Sequence, residues 1–265
     1  MTRLLVCLAA LLVCSAQAAE RVVSLAPSLS EMVVELEGAE LLVGVLDGGE
    51  RPAALAHLPS VGRHGQLDVE GLLALQPDLA LLWPDSISGA QRQQLQRLGI
   101  PLLIVEPRDL ARLAEQFAEV GERLGRAEQG QRLRRLFNER LADLSRTYGR
   151  ERPLRTFYQV WDMPLYTLGG RQIIGDALRV CGAENIFADL DVPAPQVSVE
   201  SVLQRDPEVI IAASEAQLRA WHAWPGLSAV VRKQLYVLPD KGIERPNFQM
   251  LDATEQLCRV LSRAR

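Results

Sequence analysis

Residues 69–82 read Val-Glu-Gly-Leu-Leu-Ala-Leu-Gln-Pro-Asp-Leu-Ala-Leu-Leu, and residues 199–212 read Val-Glu-Ser-Val-Leu-Gln-Arg-Asp-Pro-Glu-Val-Ile-Ile-Ala. In both stretches a glutamate precedes a proline by seven positions, and an apolar run follows the acidic residue after that proline. Proline cannot continue a helix, and a short apolar run of this kind is typical of a strand buried in a parallel sheet. Each stretch therefore predicts a short helix followed by a buried strand, and the repeat predicts two similar lobes.

Strand and helix patterns alternate on both sides of the two stretches. The strands of the first half are predicted at residues 21–25, 41–45, 78–83 and 101–105, with helices at 28–38, 68–76 and 91–98. The second half is predicted to have strands at 155–160 and 235–238, helices at 172–181, near 215–221 and at 247–263, and the second stretch between them. Strands that alternate with helices need crossover connections, and these favour parallel sheets.

A long, charged helical region separates the two halves, from about Asp109 to Tyr148, with Gly125 and Gly130 as expected interruptions. In its second part, apolar residues recur at three- and four-residue spacing, which predicts a single helix with one apolar stripe. The expected fold class is thus α/β, with two similar α/β lobes that contain parallel sheets and are joined by one long bridging helix. The expected boundaries are residues 1–18 for a signal peptide, 19–125 for the N-terminal lobe, 126–152 for the bridging helix and 153–265 for the C-terminal lobe.

The first 18 residues have the features of a secretory signal peptide. Arg3 precedes an apolar stretch from Leu4 to Val13, and Ala16-Gln-Ala18 provides a small-residue cleavage site. A membrane anchor is a weaker interpretation because a bilayer-spanning helix needs about 20 apolar residues. Acylation of Cys14 is a second alternative, although valine is a poor match to the small residue expected before it. We therefore expect export to the periplasm.

Composition and motifs exclude several function classes. The formal net charge is −4, which disfavours a nucleic-acid partner, and we expect a soluble monomer. The sequence has no GxxxxGK[ST] loop, no GxGxxG, no GxSxG and no HExxH. These absences argue against an ATPase, a dinucleotide-dependent enzyme, a serine hydrolase and a common metalloprotease. The histidines of the chain, His57, His64 and His222, are scattered along it, so no metal site is predicted.

Two cysteines, Cys181 and Cys258, remain after removal of the signal peptide. In an oxidising compartment two such cysteines most simply form a disulfide. Two buried free thiols are the alternative, and metal ligation is disfavoured because no histidine or cysteine lies at zinc-like spacing.

Aromatic residues amount to 5% of the chain, so their positions are informative. Trp83 follows the predicted strand of the first stretch, at the carboxyl end where ligands bind in open α/β sheets. Trp161 and Tyr166 follow the first strand of the second lobe, at the corresponding end. Aromatic faces from two lobes could clamp a flat, largely apolar ligand. The alternative is that these residues pack in the core or at a hinge. We expect Trp221 and Trp224 to be surface or packing residues.

Glu70 and Glu200 occupy the same register in the two repeated stretches. Each suits the first turn of a helix because of the helix dipole. The shared register is also what docking onto a two-fold symmetric partner requires, since an arginine of each partner subunit could bind one carboxylate in a bidentate pair.

Several motifs together resemble one family. They are Val-Val-Ser-Leu-Ala-Pro-Ser at 22–28, Leu-Ala-Leu-Gln-Pro-Asp-Leu at 73–79, Cys-Gly-Ala-Glu-Asn-Ile-Phe at 181–187, Val-Pro-Ala-Pro-Gln-Val-Ser at 192–198 and Glu-Gln-Leu-Cys at 255–258. They are similar to those of the periplasmic cobalamin-binding proteins of ABC importers, within the helical-backbone metal receptors. The resemblance covers essentially the whole mature chain and implies a Cys181–Cys258 disulfide and no enzymatic activity.

The resemblance also implies roles for individual residues. Glu70 and Glu200 would dock onto the dimeric permease of the importer, while Trp83, Tyr166, Arg245 and His64 would lie at the ligand cleft. Three positions depart from the family pattern, because Gly48, His64 and Ala194 stand at or next to positions where the family has large aromatic residues.

The sequence thus predicts a carrier that binds a corrinoid through Trp83, Trp161, Tyr166, His64 and Arg245 and needs no cofactor of its own. An iron–siderophore or haem carrier on the same scaffold is the first alternative, in which His64 could ligate a metal. An extracytoplasmic hydrolase that uses Ser24 or Ser28, and a docking module without a small ligand, are weaker alternatives.

Overall fold

The computed structural model describes residues 18–49, 51–238 and 241–264. The predicted signal peptide lies outside these ranges except for Ala18. Within the part of the chain that is described, none of the helices combines the length and the apolar character that a membrane crossing requires.

The N-terminal lobe contains a six-stranded sheet in the order β4-β3-β2-β1-β5-β6. Its strands are β1 (Val22–Ser24), β2 (Leu42–Asp47), β3 (Ser60–Arg63), β4 (Gln66–Leu67), β5 (Leu79–Leu82) and β6 (Leu102–Ile104). Every pairing is parallel except that of β3 with β4.

The C-terminal lobe contains a five-stranded sheet. Its strands are β7 (Leu154–Asp162), β8 (Leu165–Thr167), β9 (Ala183–Asn185), β10 (Val209–Ala212) and β11 (Leu235–Val237). They follow the order β11-β10-β7-β8, and β9 pairs in parallel with the first part of β7. The β7–β8 hairpin is antiparallel, whereas β1 pairs in parallel with both β2 and β5.

The helices are α1 (Pro27–Glu35), α2 (Val69–Ala74), α3 (Gly89–Arg97), α4 (Leu110–Arg123), α5 (Ala127–Tyr148), α6 (Ile173–Val180), α7 (Val199–Arg205), α8 (Glu215–Arg219), α9 (Ser228–Val231) and α10 (Met250–Leu261). The predicted two-lobed α/β class with parallel-rich sheets is confirmed. Helix α5, the long helix between the two sheets in sequence, is about 33 Å long from the helical rise per residue.

The repeated stretches form the same local structure in both lobes. After α2 the chain turns at Gln76 with φ of +47°, and after α7 it turns at Asp206 with φ of +41°. Proline follows each of these left-handed residues, so the helix stops and the next strand starts in the same way. Strands β5 and β10, which follow these turns, are buried at all four positions.

The acidic residue after each proline binds the start of the neighbouring central strand. The backbone N–H of Asp78 donates to the carbonyl of Arg21 (2.9 Å), and that of Glu208 donates to the carbonyl of Arg155 (2.7 Å). The carboxylate of Asp78 accepts the N–H of Arg21 (3.1 Å), and the carboxylate of Glu208 accepts that of Arg155 (3.1 Å). Each repeated stretch therefore forms a helix and a strand and also supplies the acidic residue that binds the start of the neighbouring central strand.

Helices α4 and α5 are separated at Gly125, which has φ of +66°, and the expected interruption there is confirmed. The expected interruption at Gly130 is wrong, because α5 continues through it. A Cβ atom at Gly130 would lie 2.5 Å from the carbonyl oxygen of Phe117, and one at Gly121 would lie 3.0 Å from the Cα of Gly130. The backbones of α4 and α5 therefore pack closely at these two glycines.

An aromatic cluster joins both helices to the C-terminal lobe. The rings of Phe117 in α4, Phe137 in α5 and Phe248 before α10 have centroids 5.7–5.9 Å apart. Phe117 and Phe137 are fully buried. The predicted disulfide is present and links Cys181, at the end of α6, to Cys258 in α10.

We predict that Gly130→Ala lowers the free energy of unfolding by about 1–3 kcal/mol, because the added methyl group overlaps the α4 backbone. Urea denaturation measures this difference. Gly89→Ala is a matched control in another helix, since a Cβ there meets no atom within 4 Å; it should be neutral or slightly stabilising. Equal stability of the two variants would show that the helix crossing is not tight.

Candidate functional site

A cleft with a volume of about 330 Å³ lies between the two lobes. On the side of the N-terminal lobe it is lined by Ser28, which follows β1, and Trp83, which directly follows β5. Both lie beyond the carboxyl ends of parallel strands, where ligands bind in open α/β sheets. The predicted placement of Trp83 therefore agrees with the structure.

The loop after Trp83 is held in place by local hydrogen bonds. The carbonyl oxygen of Trp83 accepts the hydroxyl (2.7 Å) and the backbone N–H (3.0 Å) of Ser86. Ser86 is buried, whereas the Trp83 side chain is partly exposed toward the cleft. The backbone at Trp83 is thus held in place, and its partly exposed side chain lines the cleft.

The opposite wall belongs to the C-terminal lobe and is largely aliphatic. Its lining residues are Val160, Leu168, Gln172, Ile173, Ile174, Ala194, Ile243, Glu244 and Pro246. Gln172 to Ile174 form the start of α6, and Ala194 stands in the Val-Pro-Ala-Pro motif. The cleft therefore combines one indole, an aliphatic wall and a few polar groups, which suits a flat and largely apolar ligand.

Asn185 stiffens that wall. Its side-chain oxygen accepts the N–H of Tyr158 in β7 (2.9 Å), and its side-chain nitrogen donates to the Thr167 hydroxyl (3.1 Å) and the Leu168 carbonyl. The side chain is 3% exposed. The motif that contains Asn185 was recognised in the sequence, but this role was not, because its partners come from two other strands.

A buried carboxylate joins the lobes behind the cleft. Glu31 in α1 is 4% exposed and accepts hydrogen bonds from Arg245 and Asn247, which precede α10. Arg245 lies between the lining residues Glu244 and Pro246, and its side chain is 36% exposed. The predicted ligand-binding residue Arg245 is thus at the seam between the lobes, but it is already paired with Glu31.

A second carboxylate lies one helical turn further along α1. Glu35 accepts the backbone N–H of Phe248 (2.9 Å). Burial raises the pKa of Glu35 to about 7, and the nearby charge of Glu31 contributes in the same direction. Burial likewise raises the pKa of Tyr158, with a contribution from Glu244.

Three other predicted ligand-binding residues lie outside the cleft lining. Trp161 is at the end of β7 with 58% of its surface exposed, and its indole N–H donates to the Met163 carbonyl (3.2 Å). Tyr166 pairs with Trp161 across the hairpin. His64 is exposed in the turn between β3 and β4. The roles of Trp161, Tyr166 and His64 at the ligand remain predictions. Local sequence did not determine where these side chains would lie.

Ser24 and Ser28 were the nucleophile candidates of the hydrolase alternative. Ser24 is buried, and its hydroxyl donates to the carbonyl of Ala26 (3.0 Å) and accepts from the hydroxyl of Ser30 (2.9 Å). Ser28 lines the cleft, but His57, His64 and His222 are all exposed. Among the described residues, no group of three or more histidine, cysteine or acidic side chains could hold a metal ion.

Glu70 and Glu200 are both exposed in the first turns of α2 and α7. Asp68 caps α2 by accepting the N–H of Gly71 (2.9 Å), and Ser198 caps α7 by accepting the N–H of Ser201 (3.2 Å). Hydrogen bonds from its own backbone and from Ser198 lower the pKa of Glu200. The helices lead into β5 and β10, so their first turns lie toward the carboxyl edges of the sheets, as the cleft does.

Comparisons with known proteins agree with this geometry. A family model described as periplasmic binding protein matches residues 22–241. The vitamin B12-binding protein of Vibrio cholerae is 34% identical over 246 residues, which cover 92% of this chain and 89% of that protein. The vitamin B12-binding protein of Yersinia pestis is 34% identical over 262 residues, covering 97% of this chain and 91% of its own.

Solved structures show the same fold. The periplasmic vitamin B12 binding protein BtuF of Vibrio cholerae has a TM-score of 0.83 at 34% identity, covering 93% of this chain and 98% of that one. The periplasmic heme-binding protein BhuT in complex with two hemes has a TM-score of 0.79 at 23% identity, covering 94% and 99%. At that identity the second likeness shows the fold alone.

Glu35 yields a prediction about pH. The folded state binds the proton of Glu35 more tightly than the unfolded state, because the pKa of this group is about 7 when folded and near 4.5 when unfolded. The resulting contribution to stability is fully present below pH 4.5 and is lost as the pH rises through about 7. Glu35→Gln should therefore match the wild type near pH 4.5 and exceed its unfolding free energy by about 1–3 kcal/mol at pH 8. Urea titrations at both pH values measure the difference, with exposed Glu139→Gln as the control. A difference that does not vary with pH would contradict the assignment.

Proposed function

The chain belongs to the periplasmic binding protein family, and we propose that it is an exported, non-enzymatic carrier that captures a corrinoid such as vitamin B12 between its lobes. It delivers this ligand to an ABC importer of the inner membrane. The observation that carries the proposal is the cleft itself, which places the Trp83 indole opposite an aliphatic wall at the carboxyl ends of both sheets. The named relatives support a corrinoid as the ligand, since they are vitamin B12-binding proteins at 34% identity.

The connection between the lobes favours a largely preformed cleft. The Phe117, Phe137 and Phe248 cluster and the pairing of Glu31 with Arg245 and Asn247 both cross the seam. Opening the lobes widely would expose the aromatic rings and leave a buried carboxylate unpaired, which is costly. Binding therefore relies on surfaces that are already in place, and little affinity is lost to ordering.

Delivery is proposed to use the two equivalent glutamates. Glu70 and Glu200 are exposed and lie in the first turn of the equivalent helix of each lobe. Hydrogen bonds from its own backbone and from Ser198 lower the pKa of Glu200, which favours the charged form that docking requires. One arginine on each subunit of a dimeric permease would bind one of these carboxylates.

We predict that cyanocobalamin binds at micromolar concentration or below, as measured by isothermal titration calorimetry. Trp83→Ala should weaken this binding by tenfold or more, because a large buried contact is worth about 1.5–3 kcal/mol. Trp224→Ala is the matched control, since that indole lies outside the cleft. If cyanocobalamin does not bind but haem does, with a Soret band on titration, the haem carrier alternative replaces the corrinoid assignment.

The docking role is tested by the double variant Glu70→Ala/Glu200→Ala. It should retain cyanocobalamin binding and lose uptake of labelled cyanocobalamin when it replaces the wild-type protein in its own cells. The control is Glu139→Ala/Glu151→Ala, which removes two exposed acids elsewhere and should leave uptake unchanged. Normal uptake by the Glu70/Glu200 variant would refute the docking role.

A further inference from the structure

A small apolar groove lies beside the start of α7 in the C-terminal lobe, with a volume of about 100 Å³. We call it the Trp224 groove; Val199, Leu165 and Trp224 are on its walls, and Trp221 and Gln159 also line it. Trp221 is 3% exposed, and its indole N–H donates to the Gln159 side chain (2.7 Å). That hydrogen bond fixes the inner side of the groove, so the groove is a stable feature of the surface.

The surroundings of the groove are more apolar than a solvated surface requires. Trp224 is 42% exposed, and at the end of the neighbouring β7–β8 hairpin Trp161 is 58% and Met163 is 82% exposed. Exposed tryptophan and methionine are enriched where proteins bind other proteins. Their proximity to an apolar groove indicates an interaction surface.

The groove is continuous with the proposed docking helix. Val199 lines the groove, and the next residue is the exposed Glu200. Asp162 lines the same groove, so one carboxylate belongs to its lining and a second, that of Glu200, is adjacent in sequence to its wall. This charge pattern suits a partner that presents an apolar side chain next to basic groups.

The N-terminal lobe offers no equivalent aromatic surface near Glu70. Between residues 18 and 108 the sequence contains one phenylalanine, tyrosine or tryptophan, which is Trp83, and Trp83 lines the cleft. The two lobes thus share the acidic residue and differ in what surrounds it.

We infer that the Trp224 groove receives an apolar side chain from the permease subunit that binds Glu200, so the C-terminal lobe makes the stronger of the two contacts. This inference rests on the proposed function. The two permease subunits present the same surface, but the carrier contacts them differently. It binds one subunit through the charge of Glu70 and the other through the charge of Glu200 and the Trp224 groove. Truncating a well-packed tryptophan at an interface typically weakens binding by tenfold or more.

The test replaces Trp224 with serine and measures uptake of labelled cyanocobalamin at limiting carrier concentration. We expect uptake to fall about tenfold, with cyanocobalamin affinity and melting temperature close to those of the wild type. Leu98→Ser is the matched control, because Leu98 is 47% exposed at the end of α3 in the other lobe; it should leave uptake unchanged. Trp224→Arg should reduce uptake at least as strongly, since it adds a positive charge opposite a basic partner. This second variant replaces Trp224→Ser in the test if the serine variant proves less stable than the wild type.

Full uptake by both Trp224 variants would overturn the inference. If the Glu70/Glu200 double variant still abolished uptake in the same assay, the proposed function would stand without it. Concentration-dependent dimerisation of the wild type that Trp224→Ser removes would also overturn it, because the groove would then bind a second copy of this chain. If wild-type protein bound no cyanocobalamin and supported no uptake, the proposed function would fail, and the inference with it.

Discussion

The structure depends on a buried carboxylate at the seam between the lobes. Glu31 is almost fully buried, so it requires the hydrogen bonds that Arg245 and Asn247 provide from the other lobe. Removing one partner of such a buried pair typically costs about 3–5 kcal/mol. These partners are more than 200 residues apart in sequence, and their pairing holds α1 against the C-terminal lobe together with the contacts of Phe248.

The repeated stretch explains why two lobes can act as one carrier. In each lobe it makes a capped helix, a left-handed turn before proline, a buried strand and a carboxylate that binds the central strand. The same geometry places one exposed glutamate at the carboxyl edge of each sheet. The cleft is lined from the same carboxyl edges, so the edge proposed to bind the ligand is also the edge proposed to dock onto the importer.

Much of the fold could be predicted from the sequence, because helix caps, prolines and apolar runs act over a few residues. The Cys181–Cys258 disulfide and the placement of Trp83 at the cleft also followed from compartment and strand position. The pairing of Glu31 with Arg245 could not be predicted, because no local pattern identifies the partner of a buried acid. Gly130 was misjudged for the same reason, since its lack of a side chain serves a contact with another helix. Trp161 and His64 lie on a hairpin end and in a turn, where strand position alone does not fix the direction of a side chain.

A crystal structure of the protein grown with cyanocobalamin would show directly whether the cleft binds a corrinoid. We expect a corrin ring between Trp83 and the aliphatic wall at the start of α6, with the Glu31–Arg245 pair intact. We also expect the carboxylates of Glu70 and Glu200 to be exposed on one face of the molecule. A corrin bound elsewhere on the protein, with the cleft empty, would contradict the proposed function. So would a complex in which the two glutamates point to opposite sides of the molecule.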